Sequence, residues 1–125
     1  MRILVCEDQD SIRHMIETLV AASGHKVTAV DVGAKAIERA LGEDFDVLLL
    51  DLMLPGSLDG FAVCERLRAD PKTTEMPIFI ISAMDDAALQ ARAMRVGASA
   101  FYSKPFSPLA LLKDIDAVAQ GLRRG

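Results

Sequence analysis

The chain has little of what marks a secreted, membrane-embedded or nucleic-acid-binding protein. Only two cysteines, Cys6 and Cys64, stand among its 125 residues, too few for a disulfide framework. Both lie in apolar surroundings and read as small buried hydrophobes. No apolar run approaches the length that spans a bilayer, so no membrane insertion is expected. Positive charge is not in excess. The formal net charge is -4 and the sequence pI is about 5.1, which argues against binding nucleic acid through bulk electrostatics. The first apolar strand begins at Arg2 and leaves no room for a secretory leader, so a cytoplasmic location is expected. Repeats, low-complexity tracts and linkers are missing, and the tail from Gln120 to Gly125 is short. One domain over residues 1–125, with its core from about residue 2 to 122, is the expectation.

What is present is a strongly apolar chain, 51% hydrophobic, organised around Val47-Leu48-Leu49-Leu50-Asp51-Leu52-Met53-Leu54-Pro55. A short run this continuous, closed by Pro55 and Gly56, reads as a strand inside a parallel sheet with both faces covered. One carboxylate interrupts it. An unpaired buried Asp is costly, so Asp51 belongs at the carboxyl end of the strand, the edge at which open α/β sheets build their sites.

Other strands are expected at Arg2–Cys6, Lys26–Val30, Asp46–Leu50, Pro77–Ser82 and Ala100–Ser103, the third being the one that ends at Asp51. Helices are expected between them. The first runs from about Ser11 to Ser23 with Ile12, Ile16, Leu19 and Val20 at helical spacing, Asp10 as its cap and Gly24 as its stop. The second runs from about Gly33 to Leu41 behind an Asp31 cap. The third, capped by Asp59, runs from Gly60 to about Ala69 and turns Phe61, Cys64 and Leu67 inward. Asp85-Asp86 opens an Ala-rich fourth helix that ends near Val96. Ser107 and Pro108 open the last, with Leu112, Ile115, Ala119 and Leu122 as its buried stripe. Strand and helix alternate five times. Crossovers of this length demand parallel strands, and the architecture expected is a three-layer α/β sandwich.

The strand ends converge on one edge. They carry Glu7-Asp8, Asp51, Ser82 and Lys104. With the first and third strands adjacent at the switch point, three carboxylates meet, and like charges this close require a counter-charge. A hard divalent cation supplies it. Mg²⁺ takes oxygen ligands, keeps several waters and commonly uses one or two carboxylates together with a phosphate oxygen. Lys104 is a mobile cation suited to a carboxylate or a phosphoryl oxygen, and Ser82 offers a hydroxyl. A carboxylate nucleophile, a metal, a cation and a hydroxyl make a site for phosphoryl transfer onto an aspartate.

Five pieces now line up: Ile3-Leu4-Val5-Cys6-Glu7-Asp8, Asp51-Leu52-Met53-Leu54-Pro55-Gly56, Asp59-Gly60, Ile81-Ser82-Ala83 and Lys104-Pro105-Phe106. Together, in this order, they resemble the receiver domain of bacterial two-component response regulators, of the chemotaxis-receiver kind, over Arg2 to about Leu122. The resemblance implies a flavodoxin-like fold with five parallel strands in the order 2-1-3-4-5. It implies that Asp51 accepts a phosphoryl group from a phosphohistidine on a sensor histidine kinase or histidine phosphotransfer protein. Glu7, Asp8, Asp51 and the backbone carbonyl of Met53 would bind Mg²⁺. Lys104 would contact the phosphoryl group across a cis Lys104–Pro105 peptide. Ser82 and Tyr102 would form the switch that remodels the surface of the fourth helix, fifth strand and fifth helix for a downstream output protein. Catalysis would be limited to self-phosphorylation and autodephosphorylation.

Two departures stand out. Ser57-Leu58 makes the loop before Asp59-Gly60 one residue longer than is usual in the family. Ala98-Ser99-Ala100-Phe101 replaces the acidic residues typical of winged-helix regulators, so a monomer or weak homodimer that signals by docking is expected. Ile12 and Met15 could belong to a kinase-docking surface or to the core. Ser82 could be a turn hydroxyl, Lys104 a surface lysine and Tyr102 a packing aromatic. His14 is expected on an exposed helix face and His25 in solvent.

Three other functions compete. A haloacid-dehalogenase-type phosphatase also uses a strand-end Asp with Mg²⁺, but needs a second acid two residues later, where Met53 stands. A flavin carrier of the same fold needs a hydroxyl- and glycine-rich first loop, where Glu7-Asp8-Gln9-Asp10 would repel phosphate. A pseudo-receiver that does not bind metal would not need the full acid set.

Overall fold

In the computed structural model, residues 1–84 and 86–124 are described, the side chains of 122–124 excepted. Asp85 and the Leu122 side chain, both given places above, lie outside the described residues. The elements are β1 (Arg2–Cys6), α1 (Asp10–Ala22), β2 (Lys26–Val30), α2 (Gly33–Gly42), β3 (Val47–Asp51), α3 (Gly60–Arg68), β4 (Ile78–Ser82), α4 (Ala87–Arg95), β5 (Ala100–Ser103) and α5 (Pro108–Arg124). All strand pairs are parallel, and the sheet runs β2-β1-β3-β4-β5. This is the order that the resemblance implied.

The period-two pleat splits the core in two. Leu4, Cys6, Leu48, Leu50, Ile78 and Ile80 pack with Ala36, Ala40, Val63, Cys64, Leu67 and Ala93 of α2, α3 and α4. Ile3, Val5, Val47, Leu49, Phe79 and Ile81 pack with Ile16, Val20, Leu111 and Ile115 of α1 and α5. β3 and β4 are buried along their whole length. Such full burial contributes about 1.5–3 kcal/mol for each large aliphatic side chain. Both cysteines are buried and free.

Several local expectations needed correction. Asp31 does not cap α2: Val32 occupies the N-cap with no side-chain bond, and Asp31 pairs with Lys35 at 3.0 Å instead. Asp10 is the first residue of α1 rather than its cap and pairs with Arg13 at 2.5 Å. In both cases a basic residue one turn on competes for the carboxylate. Asp59 and Asp86 do cap α3 and α4, accepting from the amides of Ala62 at 2.9 Å and Leu89 at 2.8 Å. In α5 the fully buried residues are Leu111 and the expected Ile115, while Leu112 is only half-buried. His25 is not solvated. Its ring packs between the N-terminal amine, 3.2 Å from Nδ1, and Asp116 of α5, 3.7 Å from Nε2. His14 is exposed, as expected.

The longer loop closes on the core. Leu58 packs against the α2–α3 side, and its carbonyl would lie 2.6 Å from a Cβ at Gly33. The extension therefore reaches the start of α2 rather than the sheet edge.

α4 buries only Ala93 completely. Arg92 lies over the Phe61 ring at 4.0 Å. The C-terminal end of α4 is better tied: Arg68 Nε donates to the Gly97 carbonyl at 2.9 Å and its Nη1 to that of Thr73 at 2.9 Å. Gly97 has φ +107 and meets the Arg68 side chain where a Cβ would stand, so glycine is needed there on both counts.

Candidate functional site

Pleat and register bring the site together. Glu7 follows Ile3 and Val5, Asp51 follows Val47 and Leu49, and Lys104 follows Ala100 and Tyr102, all by steps of two on the α1–α5 side of the sheet. The strand exits are tied by backbone bonds. The Leu52 amide donates to the Ile81 carbonyl at 3.2 Å and the Lys104 amide to the Ser82 carbonyl at 2.7 Å. Gly60 lets α3 start directly against β3: a Cβ there would stand 2.6 Å from the Asp51 carbonyl oxygen and 2.6 Å from Leu52 Cα.

Lys104 Nζ donates to Glu7 Oε1 at 2.6 Å and lies 3.6 Å from Asp51 Oδ1. Glu7 is 1% and Asp51 5% exposed, whereas Asp8 is exposed. Oxygens of these three carboxylates all lie within 4.8 Å of one another. Glu7 Oε2 also accepts from the Gln9 amide at 3.2 Å, and Arg13 holds the Glu7 carbonyl at 3.0 Å. The Met53 amide donates to Asp51 Oδ1 at 3.3 Å.

One lysine does not balance three acids. Burial, then the hydrogen bond and charge of Glu7, push the Asp51 carboxyl from 3.8 up to about 8. Burial pushes Glu7 up too, but its hydrogen bonds with Asp51 and Lys104 prevail and hold it below the ordinary range. Without a metal, the two carboxyls share a proton. Three hard oxygen donors in this space, two buried and one facing solvent, fit a hard dication.

The other expected residues are more dispersed. Ser82 continues the Ile78–Ile80 side and is fully buried; its Oγ accepts from the Met84 amide at 3.1 Å. Tyr102 packs on the α1–α5 core, its ring 5.9 Å from that of Phe79, and its hydroxyl donates to Asp114 of α5. Burial, then that contact, raise the tyrosine's pKa. The Lys104–Pro105 peptide is cis. Ile12 and Met15 divide: Ile12 packs partly on the core, while Met15 is exposed. Both line a cavity of about 510 Å³ that opens onto Asp8, Asp51 and Lys104. Phe106 and Pro108 line it too. Phe106 stands in the Lys104-Pro105-Phe106 motif, and its sequence signal is an aromatic directly after a proline at the site edge. Asp114, the partner of Tyr102, had no sequence signal, because the contact spans two elements.

A doubly wound parallel sheet with an acid cluster at its β1–β3 switch point is the architecture of a phosphorylation-type receiver module. The sequence agrees: the chain belongs to the response regulator receiver domain family, whose sequence pattern matches residues 3–116. It is 36% identical over 118 residues to the uncharacterized transcriptional regulatory protein YclJ of Bacillus subtilis, covering 94% of this chain and 50% of that one. It is 32% identical over 119 residues to the response regulator PleD of Caulobacter vibrioides, covering 95% of this chain and 26% of that one. The chain thus spans half or less of these relatives' length. Among solved structures, the chemotaxis protein CheY4 of Vibrio cholerae superposes with a TM-score of 0.87 at 27% identity, over 94% of this chain and 97% of that one. No helix among the described residues is long and apolar enough to cross a membrane.

Proposed function

We propose that Asp51 is the phosphoacceptor of this receiver, taking a phosphoryl group from a phosphohistidine on a sensor histidine kinase or histidine phosphotransfer protein. The observation that carries the reading is the placing of Asp51 beside Glu7 and Asp8, all within 4.8 Å, with Lys104 Nζ between Glu7 and Asp51. An Asp51 carboxylate oxygen attacks phosphorus as the P–N bond to the imidazole breaks. Mg²⁺ held by Glu7, Asp8, Asp51 and the Met53 carbonyl would neutralise the carboxylates and the phosphoryl oxygens. Lys104 leaves Glu7 for the phosphoryl group, and Ser82 turns its hydroxyl toward it.

The cavity beside the site suits the partner that delivers the group. Its apolar wall of Ile12, Met15, Phe106 and Pro108 runs directly into the acids. The output is a switch. The added charge of about -1.5 to -2 recruits Ser82 and Lys104, which biases α4 and Tyr102 between two arrangements and remodels the α4-β5-α5 surface for a downstream protein. Water later returns Asp51 to its free form. The protein works in the cytoplasm as a monomer or weak homodimer, without direct nucleic-acid contact.

Intact mass after incubation with a small phosphoryl donor, with and without Mg²⁺, tests the reading beside an Asp51→Asn variant. A single phosphoryl adduct requiring both Mg²⁺ and Asp51 supports it. No adduct, with no Mg²⁺ binding, overturns it in favour of a docking module that does not depend on phosphorylation.

A further inference from the structure

Among the described residues, the exposed large hydrophobics are Met15, Met53, Met84, Met94 and Leu109. Four of these five are methionines, and two of them are tied to site residues through their backbone amides. Met53 gives its amide to Asp51 Oδ1 at 3.3 Å, and Met84 gives its amide to Ser82 Oγ at 3.1 Å. Each follows its site residue by two positions, in the loops just beyond the neighbouring strands β3 and β4. Met53 is 55% and Met84 49% exposed, so core packing does not account for them. Met53 lines the cavity onto which Asp51 opens.

A thioether accepts hydrogen bonds weakly and donates none. Beside a phosphorylated Asp51, the Met53 and Met84 side chains offer an attacking water no donor and only a weak acceptor. A sulfoxide is different: it is polar and its oxygen is a strong acceptor, and the conversion is reversible by methionine sulfoxide reductases.

We propose that Met53 and Met84 form an oxidation-sensitive pair that sets the lifetime of the phosphorylated state, peroxide converting them to sulfoxides that hasten loss of the phosphoryl group. The proposal rests on Asp51 being the phosphoacceptor. In the oxidation the sulfur lone pair takes one peroxide oxygen, the O–O bond breaks, and water leaves. Sulfur is oxidised by two electrons and peroxide is reduced by two. In the hydrolysis a water, its proton held by the sulfoxide oxygen, attacks phosphorus. The bond from phosphorus to the Asp51 oxygen breaks, leaving the carboxylate and inorganic phosphate, and the water's proton passes to solvent. The cysteines are poor competitors for the oxidant. Cys6 and Cys64 are buried, and burial pushes both thiols up, Cys6 to about 12, which withholds the reactive thiolate.

The test follows decay of the phosphoryl adduct by intact mass after the donor is removed, before and after limited hydrogen peroxide, with peptide mapping to locate the added oxygens. Native protein oxidised at Met53 and Met84 should lose its adduct several-fold faster than its unoxidised sample. A Met53→Leu/Met84→Leu variant, compared with its own unoxidised sample, should show no acceleration. Met53→Gln should decay faster than the native protein without any peroxide. Equal decay before and after oxidation, or equal acceleration in the Leu variant, overturns the proposal. No adduct in the untreated native protein overturns the phosphoacceptor reading and this proposal with it, and it does so before peroxide is added.

Discussion

Replacing Asp51 by Asn should make the metal-free protein more stable, not less. The Asp51 carboxyl moves from 3.8 to about 8 on folding, through burial first and then through Glu7. A carboxyl raised in the folded state contributes stability that is complete below its unfolded value and is lost as pH rises through its folded value. Near neutral pH about three units of that window have been crossed, and at about 1.4 kcal/mol per unit this amounts to about 4 kcal/mol. Glu7 shares the proton, and its own lowered value returns part of this, so a gain of about 2–4 kcal/mol is expected for Asp51→Asn. Asn can still accept from the Met53 amide and donate to Glu7, and the Lys104–Glu7 pair at 2.6 Å is untouched. Urea denaturation in a chelator, from mildly acidic to mildly alkaline pH, measures it. The variant's advantage should be small near the acidic end, grow with pH, and collapse when Mg²⁺ is added, because the metal compensates the native carboxylate and not the amide. A variant no more stable than the native protein at neutral pH, or an advantage independent of pH, refutes the reasoning.

Three other perturbations follow from the same geometry. Gly60→Ala should cost about 1–3 kcal/mol and slow adduct formation, since the new Cβ meets backbone atoms of Asp51 and Leu52 that cannot yield; Gly42→Ala, with open space around it, should leave both melting temperature and adduct rate intact. Lys104→Met removes the cation between Glu7 and Asp51 and should cost the metal-free protein about 2–4 kcal/mol, most of it recovered on titrating Mg²⁺ in a thermal melt. Arg68→Met strips donors from the Gly97 and Thr73 carbonyls at about 2 kcal/mol, and amide exchange should rise at the end of α4 and in the turn before β4 while α1 stays protected.

How much could be read beforehand follows the range of the interactions. The sheet was legible because β3 and β4 are buried on both faces, which leaves an unbroken apolar run and puts its one carboxylate at the end. The site was legible for the same reason: strand ends in a parallel sheet share an edge, so Glu7, Asp51 and Lys104 meet whatever the helices do. Asp10 and Asp31 were misread as caps because capping competes with an ion pair three or four residues away, and sequence alone does not weigh the two. His25 looked like a turn residue, and its burial depends on Asp116 and the chain start, both distant in sequence. Leu111 rather than Leu112 joins Ile115 as fully buried in α5, a choice between i−4 and i−3 spacing that periodicity alone does not resolve. The Arg68 contacts cross from α3 to α4 and leave no local pattern.

The Tyr102 hydroxyl bound to Asp114 has a practical side. The chain holds one tyrosine and no tryptophan, so all of its tyrosine emission comes from the one ring that joins β5 to α5. A carboxylate that accepts a phenol proton quenches such a ring, and parting the two restores its light. The chain thus carries a single fluorophore at the contact between β5 and α5. Any parting of Tyr102 from Asp114 can be followed in solution without a dye, a tag or an altered residue.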